Sequence, residues 1–347
     1  MRSRESAEIL RPARVGPAAL SIAFGAWLVA CLAGLMLGPI GLPAADALRA
    51  LLDALPGVRI EHALTETELR VLYDIRAPRV AMGSLVGAIL AVGGAAYQGV
   101  FRNPLADPYL LGVAAGAGLG ATIAFGLALD GTLVTALAFI GAIVAVAATY
   151  LLGRSMGNRT ATALILAGVA VSAFATAIQT YLLQRNVETL RSVYTWVFGR
   201  LTTVGWTQVF GLLPYAVLAI VLIFIHRRAL DVLGVGDDEA AALGLNVDRV
   251  RWVVVLSATL ATAAAVSVSG LIGFVGIIVP HTVRLLTGWS YRVIVPLSVV
   301  FGAAFLVAAD IVARTAAAPA ELPIGIVTAF VGAPFFLVVL RSVGRDK

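Results

Sequence analysis

Only one lysine occurs in these 347 residues, and it is Lys347. A phosphate-cradling loop of the form G-x-x-x-x-G-K-[ST] needs a lysine to reach the phosphates, so nucleotide hydrolysis of that kind has to come from another subunit. Cysteine is equally scarce. Cys31 stands alone in an apolar run, which leaves neither a disulfide framework nor a cysteine metal site and makes it a small buried hydrophobe. The three histidines, His62, His226 and His281, lack metal-ligand spacing, and no serine or cysteine nucleophile pairs with one in a known motif. No catalytic residue, metal site or cofactor is expected.

Charge is scarce too: 13% of residues are charged and 60% hydrophobic, with a mean hydropathy of +0.97. That is about half the charged fraction of a soluble globule. Runs near the roughly 20 residues that cross a bilayer occur at 18–38, 80–100, 109–129, 132–152, 161–183, 209–225, 250–269, 293–313 and 324–340, with a shorter one at 271–286. The expectation is an all-α, polytopic membrane protein with about ten spans in a single domain, 1–347. The first run is too long for a signal-peptide core and is read as a span. With the N-terminus inside, sixteen of the 25 basic residues fall in cytoplasmic segments, which places both termini in the cytoplasm. The net charge of +6 is then explained by membrane-flanking arginines, and no nucleic-acid partner is expected.

Four polar interruptions carry the information. Residues 227–251 form the most polar internal cytoplasmic segment. There 229–233 and 237–243 read as short helices broken by Gly234, Gly236 and Gly244, with Asp237, Asp238 and Glu239 at a helix N-terminus, where the dipole favours them. Such helices suit docking into a groove of a soluble partner. On the outer side, the connection 40–79 ends with Arg76 and Arg79 flanking Pro78, and Arg314 and Glu321 sit near the last outer loop. These arginines are read either as exposed anchors for a partner's carboxylates or as snorkelling side chains. Asp310, four residues before Arg314, suggests an intrahelical ion pair; the remote alternative is a proton site of a secondary carrier. In 98–120, Arg102, Asn103-Pro104 and Asp107-Pro108 form a cytoplasmic turn, and Gly112, Gly116 and Gly120 are expected to line one packing face. Pro280 is expected to break its helix beside His281 and Arg284.

Together these segments resemble the FecCD-like permeases of type II ATP-binding-cassette importers for iron-siderophore, haem and vitamin B12. The matching pieces are RAPRV (76–80), Gln98 with RNPLADPYLLGV (102–113), EAAALGL (239–245), SGLIGFVGIIVPHTVR (269–284), and ADIVAR with ELPIGIVTAFVGAPFF (309–336). The resemblance implies a homodimer with the path along its two-fold axis, two ATPase subunits inside, and an extracytoplasmic substrate-binding protein outside. It assigns ATPase coupling to Asp237, Glu239, Ala240, Ala241, Leu243, Gly244 and Leu245, and binding-protein docking to Arg76, Arg79 and Arg314. An inner gate is implied at 157–162, with Asn158 and Thr160, beside the fifth span. The implied cargo is a bulky metal chelate, with a ferric siderophore first and haem or a corrinoid as alternatives. Residues 62–70 depart from the family pattern and are expected to be a solvated spacer.

Overall fold

The computed structural model describes residues 15–54, 56–155, 161–201 and 205–343, and among these there is no strand. Helix α1 (Pro17–Met36) crosses outward and is followed by the amphipathic outer helix α2 (Ala44–Asp53). The chain re-enters through α3 (Glu66–Arg70), a π-helical turn (Val71–Arg76) and α4 (Ala77–Phe101), which run on without a break. Then come α5 (Val113–Gly126), α6 (Gly131–Ser155), α7 (Ala161–Arg185), the outer helix α8 (Leu190–Val197) and α9 (Trp206–Leu233). The cytoplasmic α10 (Asp237–Ala242) leads to α11 (Val247–Ser269), α12 (Val275–Thr287), α13 (Tyr291–Thr315) and α14 (Ile324–Val343). Seven of these helices, including the joined α3–α4, are long and apolar enough to cross a membrane, and α5, α12 and α14 are further apolar helices. This agrees with about ten spans.

Helix α4 is the hub. It is buried along nearly its whole length and touches α9, α11, α12 and α13. Small residues make that possible: a β-carbon at Gly87 would strike the backbone of Gly302 in α13, and one at Gly94 the backbone of Gly276 in α12.

Helices α5 and α12, at 14 and 13 residues, are too short to cross alone. Irregular backbone completes them, which a membrane tolerates only where protein satisfies the polar groups. For α12 this is 270–274, with Gly270 and Phe274 at positive φ, where Tyr109 Oη donates to the Ile272 carbonyl (3.1 Å). Beside it, the Arg200 N–H donates to Ser269 O (2.8 Å) and Gly325 N–H to Phe198 O (3.0 Å).

Three expectations are corrected here. The break lies at 270–274 and not at Pro280, which sits inside a continuous α12; the carbonyl its missing N–H leaves free, on Gly276, accepts from Gln98 Nε2 (3.0 Å) instead. Gly112 is not on the glycine face: its φ of +86° makes it the turn that starts α5, while Gly116 and Gly120 do meet the backbone of α6. Residues 229–233 are the end of α9 and not a separate helix, because the helix runs unbroken through them to Gly234.

In the 62–70 segment Thr65, Glu66, Thr67 and Arg70 are exposed, as in a spacer, while His62 and Glu68 are half-buried. It is nevertheless anchored, since Leu64 joins Leu42, Ala50 and Leu72 in a small outer core and Thr65 and Glu68 form a capping box.

Candidate functional site

Two charged clusters lie at opposite ends of the bundle. At the outer end Arg79 donates through Nε and Nη2 to the Asp310 carboxylate (3.0 and 2.8 Å) and through Nη1 and Nη2 to Glu321 (2.9 and 3.0 Å). Arg314 Nε lies 3.5 Å from Asp310, so the intrahelical pair exists but is the longer of two that share this carboxylate. Arg314 Nη2 also donates to Gly34 O (2.6 Å), and Arg76 donates to the carbonyls of Leu35 (2.9 Å), Met36 (2.7 Å) and Ile40. These two cations serve the last turn of α1, which has no basic residue of its own. Arg76, Arg79, Asp310 and Arg314 are between 2 and 7% exposed. The expectation of exposed outer arginines is therefore corrected: internal carboxylates and carbonyls partner them, with Arg314 Nε making no hydrogen bond, and burial without those partners would cost several kcal/mol per charge.

At the cytoplasmic end one carboxylate links α10 to two neighbouring elements. The Asp237 carboxylate accepts from Arg251 Nη2 (2.9 Å) at the start of α11 and lies 3.5 Å from Arg102 in the turn after α4. Ala240 is buried and Leu245 packs against the inner core, so both face the body of the protein. Glu239, Ala241, Leu243 and Gly244 face outward, with Leu243 72% exposed beside an exposed Val235. Gly244 has a φ of +85°, and a β-carbon there would meet nothing within 4 Å. The turn before α5 holds Asp107, which accepts the Tyr109 N–H (2.8 Å) and whose carboxyl burial pushes up from 3.8 to about 6.

A polar bridge joins α4 to α12 below its glycine contact. Gln98 Nε2 donates to Gly276 O, and its Oε1 accepts from Arg284 Nη2 (3.0 Å). Both residues lie in the matched motifs, but no periodicity shows that the two side chains meet.

A family model settles what kind of protein carries these two ends, matching residues 26–342. The chain belongs to the FecCD transport family. The FecCD chain is 41% identical over 286 residues to the cobalamin import system permease protein of Halobacterium salinarum, covering 82% of this chain and 76% of that protein. It is 39% identical over 329 residues to the iron(3+)-hydroxamate import system permease protein of Bacillus subtilis, covering 92% and 83%. A solved metal-chelate type ABC transporter in an inward-facing conformation superimposes with a TM-score of 0.80 at 28% identity, covering 93% of this chain and 99% of that one. These relatives are transport permeases, and this FecCD chain is likewise a multi-pass protein of the cytoplasmic membrane. The FecCD gate residues expected at Asn158 and Thr160 lie outside the described residues.

Proposed function

We propose that this chain is the single-domain membrane permease of an ATP-driven importer whose ATPase is a separate subunit, and that it carries a bulky metal chelate, a ferric siderophore first. The observation that carries the reading is α10: a short helix held to the bundle by Asp237, with Leu243 turned to the cytoplasm. A helix anchored on one side and apolar on the other transmits a push only if something seats on it. Asp237, Ala240 and Leu245 then supply the anchor, and Glu239, Ala241, Leu243 and Gly244 the seat for an ATPase groove.

The chain is proposed to work as a homodimer. In support, α7 carries exposed residues along its length, from Leu166 and Val169 to Phe174 and Tyr181, and α14 exposes Phe330, Val331, Leu337 and Val338. Rocking of two such subunits would open the path to alternate sides.

Docking of an extracytoplasmic binding protein on Arg76, Arg79 and Arg314 takes an exchange form in this proposal. Glu321, with its side chain 28% exposed, is the most accessible member of the cluster, and an incoming carboxylate would replace it on Arg79. A corrinoid cargo is the second reading, favoured by the 41% identity to the Halobacterium salinarum cobalamin permease.

The test is uptake by liposomes holding the permease, its ATPase and its binding protein. ATP-dependent accumulation of a ferric hydroxamate supports the leading reading, and accumulation of cobalamin alone moves the cargo to the second. Uptake that follows a proton gradient without ATP would sink both.

A further inference from the structure

The cytoplasmic ends of α4, α9, α12 and α13 line a half-open cavity of about 310 Å³. Gln98, Arg102, Asp231, Arg284, Trp289 and Tyr291 stand in its wall. Arg284, on the last turn of α12, is only 4% exposed. Its Nη2 donates to Gln98 Oε1 (3.0 Å) and to the Tyr291 hydroxyl (3.2 Å), and its guanidinium carbon lies 5.2 Å from the centre of the Trp289 ring. All three partners line the same cavity with Arg284, whose Nε and Nη1 are themselves closed off from it. Nε and Nη1 have no hydrogen-bond partner, and no carboxylate among the described residues forms an ion pair with Arg284.

The one acid in the wall is already occupied. Asp231 accepts from the Tyr291 N–H (2.5 Å) and from Ser290 Oγ (2.9 Å), and lies 3.4 Å from Arg292 Nε. A buried lysine could relieve an uncompensated charge by losing its proton, but a guanidinium cannot. A buried cation left unpaired is costly enough that native proteins supply a counter-ion. Among the described residues no carboxylate is left to supply that ion.

We infer that this cavity binds a phosphate-type oxyanion, seated on Arg284 with Arg102 at its rim. Guanidinium groups pair with phosphate through several charge-assisted hydrogen bonds. The site also lies at headgroup level by its neighbours, because Trp289 is 74% exposed beside exposed Leu285 and Leu286. The oxyanion is therefore the phosphate of an anionic lipid of the inner leaflet or free inorganic phosphate. Since Arg102 also approaches Asp237 at 3.5 Å, the occupant shares a cation with the anchor of α10.

The experiment uses the full chain in nanodiscs. In phosphatidylcholine discs, sodium phosphate is titrated against chloride at matched ionic strength while the melting temperature is followed. Parallel discs contain phosphatidylglycerol, and native mass spectrometry reads the lipid retained. A rise in melting temperature with phosphate assigns the free ion, and a rise or lipid retention only with phosphatidylglycerol assigns the headgroup; either supports the site. Arg284→Met should abolish the response, and Arg102→Gln, a change at an exposed position, should weaken it roughly threefold. Should Arg284→Met fail to fold, the midpoint of Arg102→Gln decides, and an unchanged midpoint overturns the site. No response in the wild type to either phosphate source also overturns it and leaves a carboxylate beyond the described residues as the counter-ion.

Discussion

The outer and cytoplasmic ends of the bundle hold similar residues and use them in opposite ways. Outside, Arg79, Asp310, Arg314 and Glu321 close on one another, and Arg76 closes on the end of α1. Inside, Asp237 spans two arginines across a partly exposed surface, Leu243 points to water, and Arg284 is buried without an acid among the described residues. A cluster that satisfies itself is a strut, whereas one with an unmatched charge and an exposed apolar side chain is a place where something lands. Composition does not separate them, because both are arginine-rich ends of an apolar bundle.

The sharpest way to break the contrast is Asp310→Leu. It leaves two buried guanidiniums with only Glu321 near one of them, and the loss should be about 3–5 kcal/mol, read as a lower melting temperature of the solubilised protein. Replacing Arg79 by Met in the same chain should recover part of that loss; if the single variant melts like the wild type, the outer cluster is not a strut.

Next in size is Asp107→Asn. With a folded pKa of about 6 against an ordinary 3.8, the Asp107 carboxyl favours the folded state below pH 4, and that contribution is lost as the pH rises through 6. The wild type should therefore lose stability between about pH 3.5 and 6.5, by at most about 3 kcal/mol, and the variant should show a flatter curve. Parallel curves would remove Asp107 from the account.

Gly244→Val should cost about 1–2 kcal/mol because φ is +85°, while space is open around it. ATP-driven uptake should fall far more than the amount of inserted protein. Uptake lost only in proportion to inserted protein would leave α10 as an ordinary loop. The smallest effect is expected at the exposed pair Arg49–Asp46 (3.1 Å), where Arg49→Ala should change stability by less than about 0.5 kcal/mol. A larger loss would mean that α2 contributes to the strut.

Much of this was legible in the chain. The spans follow from run length, and α10 follows from an acidic start between glycines. Residue type alone suggests a break at Pro280 and a packing face at Gly112, whereas their roles depend on who lies opposite. Gln98 fills the bond that Pro280 leaves open, and a positive φ takes Gly112 out of the helix it would have lined.

The sequence by itself determined a membrane bundle, its approximate number of crossings and its family, because hydrophobic run length and contiguous motifs are local properties. Only the tertiary structure decided which charges are paired. Arg79 and Asp310 are 231 positions apart, and Gln98 and Arg284 are 186; whether such groups meet is set by helix packing around α4, through glycines that let backbones touch, and by nothing in their own neighbourhoods.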